Sequence, residues 1–200
     1  MRSASRSLSF FLVLSFALGG CRGDAPEAPP VEAPLPSPSR NAKPKEDPAA
    51  ARAAEARDAL SARMMGRVME AVKAGGHASA VKACNEDAPK ITAAVAEEFG
   101  VNIGRTAERV RNPDNAPPEW VAERIRDRPE TPIHAREQDG TLRALFPIFL
   151  AEPCLACHGK PEELAPGVAE ALAEHYPNDR ATGFSVGDLR GWLWVEVPPA

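Results

Sequence analysis

Three features of the sequence predict an α+β fold, with helices first and an antiparallel sheet after them. Residues 49–99 carry apolar positions at helical spacing, residues 101–149 change to short alternating runs separated by turn residues, and residues 189–197 alternate again. Between the last two groups, a segment holding Cys154-Leu155-Ala156-Cys157-His158 interrupts the sheet as an insertion.

The helical part divides in two. From Ala49 to Ala74, Leu60, Met64, Val68 and Val72 recur every fourth residue with Met65 and Met69 beside them. This spacing gives a long amphipathic helix with one buried stripe, ended by Gly75-Gly76. Three methionines on such a stripe read as core rather than as metal ligands. A second helical region starts near Ala78, breaks at Asp87-Ala88-Pro89 and resumes to Phe99. Pro89 suits a first helical turn, Asp87 suits its cap, and Gly100 ends it.

Val101 to Arg105 alternates as a strand, Arg111 to Pro117 is a loop, and Pro118 to Asp127 is a short helix carrying Trp120. Ile133 to Glu137 and Thr141 to Phe149 flank Gln138-Asp139-Gly140, where Asp-Gly favours a hairpin turn. The last strand, Leu189 to Val197, sets Leu193, Val195 and Val197 on one face and Trp192 and Trp194 on the other.

The chain has 200 residues and a net charge of −4, and its first 20 residues hold Arg2 and Arg6 with no acid. The rest is therefore more acidic still, which excludes a basic nucleic-acid binder. Of 21 prolines, eight fall between Arg22 and Ala50. That segment reads as an extended tether of up to roughly 90 Å at about 3.1 Å per residue. The sequence thus divides into a leader at 1–20, a tether at 21–50 and one domain at 51–200.

In the leader, Arg2 and Arg6 precede an apolar stretch, Leu8 to Leu18, too short to span a bilayer, which marks an export signal. Its end, Leu18-Gly19-Gly20-Cys21, resembles the bacterial lipobox, in which the cysteine thiol takes a diacylglycerol. Cys21 is then the lipidated first residue of an exported protein held at the periplasmic side of the cell envelope. Inner-membrane retention goes with Asp at the second mature position; Arg22 makes the outer membrane the default.

Cys154-x-x-Cys157-His158 in an exported chain is the spacing that lets two thiols reach the two vinyl groups of one haem, with the adjacent imidazole as axial ligand. A thioredoxin-type dithiol would call for a βαβ setting and usually a Trp before the first cysteine, where Pro153 stands. A zinc site built from Cys84, Cys154, Cys157 and His158 is ill suited to an oxidising compartment. Covalent haem c accounts for the motif best. With Cys21, Cys154 and Cys157 used, Cys84 has no disulfide partner. It is either a small buried hydrophobe or the distal iron ligand. Spacing alone leaves that position open among Cys84, His77, His134, His175 and the methionines Met64, Met65 and Met69.

Seven blocks occur in order: Cys84 to Ile91 (Cys-Asn-Glu-Asp-Ala-Pro-Lys-Ile), Gly104-Arg105-Thr106, Arg111 to Pro117 with Trp120, Phe146-Pro147-Ile148, Cys154 to Gly159, Tyr176 to Gly183, and Gly187 to Gly191. Over residues 55–198 the chain resembles the Tll-type monohaem c family, long catalogued as a domain of unknown function, whose fold is similar to extracytoplasmic PAS-like sensor domains. The resemblance implies a PAS-like antiparallel sheet, one covalent haem, His158 as proximal ligand and Cys84 as distal ligand. Two departures are Ala107, where the family often has Ser, and Trp192, where it often has Ala.

Arg105, Arg111, Tyr176 and Arg180 are candidate donors to the haem propionates; Arg111 otherwise reads as a solvated charge in a tight turn. His134 and His175 read as surface or satisfied histidines, and His77 as solvent-side. Thiolate plus imidazole ligation implies a low-potential iron and leaves no role for a catalytic acid, base or nucleophile. The expected function is lipid-tethered electron transfer with a redox protein partner rather than enzymatic catalysis. The alternative is a haem-based redox or gas sensor acting through a separate signalling partner.

Overall fold

A computed structural model describes residues 47–199. The leader, Cys21 and the tether up to residue 46 lie outside the described residues.

The first element, α1 (Pro48–Phe99), is a helical hairpin rather than a straight rod. Asp47 caps it by accepting the Ala49 N–H at 3.0 Å, and Pro48 occupies the first helical turn, where a missing N–H costs nothing. The helix therefore begins inside what was expected to be tether. Gly75 and Gly76 leave helical geometry, with Gly76 at φ 76° and ψ −175°, and the chain turns back. Arg67 on the first arm reaches Asp87 on the second at 2.8 Å, and Arg63 reaches Glu98 at 2.6 Å.

The second arm does not break at Asp87-Ala88-Pro89 as expected. Pro89 lies inside the helix. Asp87 caps nothing: its carboxylate is shared between Arg67 and Lys90. Packing of Ala88, Ile91 and Val95 holds the arm in register through the proline. The methionine stripe also differs from expectation. Met64 packs on the core, whereas Met65 and Met69 are exposed, because the first arm buries only the face it turns to the sheet and to its partner arm. Gly100, at φ 59°, closes the helix.

Four strands follow: β1 (Asn102–Thr106), β2 (Ile133–Arg136), β3 (Leu142–Phe149) and β4 (Leu189–Val197). They form one antiparallel sheet in the order β1-β4-β3-β2. The expected α+β class is therefore the observed one. β2 covers only Leu142 to Leu145 of β3, so Pro147 sits where one side has no strand against it and its missing donor does no harm.

The two faces of the sheet are covered differently. Ile103, Ala144, Phe146, Leu193, Val195 and Val197 pack against Ala53, Ala56, Leu60 and Val95 of α1. On the other face, Leu145 and Trp192 pack against Val121 and Ile125, which belong to α2 (Glu119–Arg124) and the 3₁₀ turn after it. This is the alternation expected for β4. Gly191 lies so close to β1 that a β-carbon there would clash with the Thr106 carbonyl.

The segment between β3 and β4 carries α3 (Leu155–His158) and α4 (Val168–His175). Val168, Leu172 and Tyr176 pack on Val81, so the insertion rests on the second arm of α1. Among the described residues no helix is long and apolar enough to cross a membrane.

Candidate functional site

Two groups of side chains meet where the insertion lies against the second arm of α1. One surrounds His158. Cys154 ends a 3₁₀ turn and α3 follows at once, so the motif is held in tight helical geometry. Cys154 packs beside Leu150, Ala181 and Phe184, and Cys157 packs in the Val81–Tyr176 cluster. Nδ1 of His158 lies 2.7 Å from the Ala181 carbonyl. A carbonyl can only accept, so Nδ1 carries the proton and Nε2 keeps its lone pair. Burial, then the charges of Arg111 and Arg190, push the His158 pKa down to about 3, against the Ala181 carbonyl, which raises it. The imidazole is neutral across the physiological range, the form that ligates metals.

Arg111 holds this arrangement together. Its Nη2 donates to the carbonyls of Cys157 (2.6 Å) and Ala181 (3.2 Å), and its Nε to Asp179 Oδ1 (3.2 Å). Asp179 Oδ1 also accepts the Ala181 N–H at 2.9 Å. The two side chains are only 12% and 9% exposed. Arg111 is thus not the solvated charge in a tight turn that the sequence also allowed. Its Nη2 is committed to the backbone that carries His158 and to the backbone that orients it, and its Nε to Asp179.

The other group lines a cleft of about 510 Å³ between the second arm and β1. Cys84, Arg105, Tyr176 and Trp194 face it. Burial is the main influence on the Cys84 thiol and raises its pKa, while the charges of Arg105 and Arg111 oppose the rise. Tyr176 is pushed up to about 12, first by burial and then by the neighbouring Cys84. Arg105 forms no salt bridge among the described residues, and burial lowers its pKa against the influence of Cys84 and Tyr176. Burial raises the Cys157 thiol, Arg111 opposes the rise and the charge of Cys84 adds to it, which joins the two groups into one region.

The remaining sequence candidates lie elsewhere. Arg180 is exposed, and its recorded bond is from its backbone N–H to the Val110 carbonyl. His134 is exposed on β2, edge-on to Phe146. His175 is half-buried, and its carbonyl accepts from Asn85 at 3.1 Å. His77 is half-buried at the hairpin turn rather than solvent-side. None of these histidines, and none of the three methionines, lines the Cys84 cleft. Asp179, Phe184, Arg109 and Arg190 received no role from sequence except, for Asp179 and Arg190, membership of quoted blocks. Burial and then Arg111 push Arg190 down to about 10.

The donor set suits an iron porphyrin. Two thiols stand at Cys-x-x-Cys spacing, a neutral imidazole offers Nε2, a third sulfur lines the cleft, and Arg105 brings a cation without a carboxylate partner to the same wall. No group of three or more His, Cys, Asp or Glu side chains converges as a cage for a bare metal ion among the described residues, which disfavours the zinc reading.

Known proteins were compared with this chain. No curated protein matches it. The solved structure of the cyanobacterial haem protein Tll0287 is similar over 80% of this chain and 98% of that one, with a TM-score of 0.56 and 25% identity. The family model described as Tll0287-like matches residues 41–198. The chain belongs to the Tll0287-like family.

Proposed function

We propose that this protein binds one haem c and works as an electron carrier, not an enzyme. Cys154 and Cys157 hold the group through thioethers, His158 Nε2 is its proximal ligand and Cys84 its distal ligand. The observation that carries the reading is the Ala181 carbonyl on His158 Nδ1, which fixes the tautomer that leaves Nε2 free, in a chain whose neighbouring cleft presents Cys84. The likeness to a haem protein over nearly all of that protein's length supports it.

When bound, the haem supplies a one-electron couple whose potential an anionic thiolate lowers relative to His/Met ligation. The chain's own residues orient and shield it. Arg111 and Asp179 hold the CxxCH helix against residues 179–181, and Arg105 and Tyr176 stand ready as propionate donors. Cys21 carries a lipid, and the proline-rich tether lets the domain move at the periplasmic face of the outer membrane between redox protein partners.

Voltammetry of the haem-loaded protein tests this directly. A reversible one-electron couple, with the same ligation in both oxidation states and no CO binding to the reduced form, is expected of a carrier. Loss of the distal ligand on reduction followed by CO uptake would overturn the carrier and make Cys84 the switch of a sensor.

A further inference from the structure

A second cleft, of about 370 Å³, opens where β4 begins and shares no lining residue with the Cys84 cleft. Arg109, Arg128 and Arg190 line it together with Phe184. The Arg109 guanidinium stacks on the Phe184 ring at 3.6 Å from its centroid, and Arg190 addresses the same ring at 5.6 Å. Arg190 also donates to the Arg109 carbonyl at 3.1 Å. Neither Arg109 nor Arg190 forms a salt bridge among the described residues.

The carboxylates of this cleft do not compensate them. Glu108 is held by Arg128, and Asp188 Oδ2 accepts the Ser185 N–H at 2.8 Å. Nearby, Asp179 is already paired with Arg111. Arg109 and Arg190 therefore share the Phe184 ring without a carboxylate partner, while Arg128 is neutralised by Glu108.

The backbone supplies an independent observation. Arg128 is the only non-glycine residue with positive φ among the described residues, at φ 49° and ψ 55°. It follows the 3₁₀ turn Ile125–Asp127, a helix-end position where Gly or Asn is the ordinary occupant. Its guanidinium meets Glu108, so an ion pair at the cleft occupies a backbone position that glycine would fill with less strain.

We propose that this cleft binds a small oxyanion, of the phosphate or dicarboxylate class, through Arg109 and Arg190, beside the Arg128–Glu108 pair. Guanidinium forks match both oxyanion geometries, and the Phe184 face holds Arg109 and Arg190 in place without consuming their donors. The site goes beyond the haem reading and adjoins it, since Phe184 also lies edge-on to His158 at 6.4 Å between ring centroids.

The test is calorimetric titration of the haem-loaded protein at low salt, with inorganic phosphate and with succinate in separate runs. Saturable binding of either is expected, and the tighter of the two identifies the class. Arg128→Gly is expected to weaken binding several-fold, because it leaves the Glu108 carboxylate uncompensated at the cleft, while the melting temperature holds or rises because the substitution relieves the backbone. Arg190→Gln is expected to weaken it by about tenfold, the scale of one charged hydrogen bond. Heats no larger than dilution for both anions would overturn the proposal. So would equal affinity in the wild type and both variants. Binding by haem-free protein that vanishes on haem loading would assign these guanidiniums to the haem carboxylates and overturn it as well.

Discussion

Cys84→Ala is expected to leave the haem covalently attached while abolishing the thiolate signature of the ferric protein. In the proposed arrangement attachment rests on Cys154 and Cys157, which lie on a separate element from Cys84. The cleft lining that contains Cys84 includes no other cysteine, no histidine and no methionine, so no sulfur or imidazole there can replace the lost ligand. The midpoint potential should rise, because removal of an anionic ligand takes away stabilisation of the ferric state, and axial ligands tune haem potentials over about 0.8 V. Electron paramagnetic resonance and a redox titration read both effects. Identical spectra in mutant and wild type would remove Cys84 from the iron and return it to the role of a small buried hydrophobe.

Arg111→Leu is expected to be the most destabilising single substitution near the motif. The Arg111–Asp179 pair is almost wholly buried, and removal of one partner of a buried pair costs about 3–5 kcal/mol because the other charge is stranded. The carbonyls of Cys157 and Ala181 lose a donor at the same time. Since Ala181 is also the partner of His158 Nδ1, the loss reaches the orientation of the imidazole. Urea denaturation measures the stability change. Adding Asp179→Leu should restore part of it, because the stranded carboxylate is gone. If Arg111→Leu unfolds at the wild-type midpoint, the network is not what holds the insertion in place.

These two residues also show what could be read before the structure. Cys84 stands out in the sequence as a candidate because it lies in a block, Cys-Asn-Glu-Asp-Ala-Pro, whose order with six others is informative. The structure adds that it shares a wall with Arg105 and Tyr176. The strands were legible from alternation. β4 occupies the expected Leu189–Val197, and the turn at Gly140 falls where Asp-Gly placed it. The role of Arg111 was not legible. Its partners Cys157, Asp179 and Ala181 lie 46 to 70 positions away, and two of the bonds go to backbone carbonyls, which leave no trace in side-chain identity.

The second arm of α1 misled for a related reason. Asp87 next to Pro89 is a good local start signal, yet Arg67 across the hairpin claims the carboxylate and packing of Ile91 and Val95 carries the helix through. Local propensity lost to tertiary contacts there. Likewise, Met65 and Met69 had the right period but the wrong face, because two arms side by side divide the burial between them.

Denaturing mass spectrometry after thiol alkylation, on protein purified from a host that matures c-type haem, tests the central reading most directly. The expected result is the polypeptide plus one haem, with Cys154 and Cys157 protected from the alkylating reagent and Cys84 modified once the chain is unfolded. A chain without added mass, in which Cys84, Cys154 and Cys157 are all alkylated, would contradict covalent haem binding and with it the assignment of His158 and Cys84 as iron ligands.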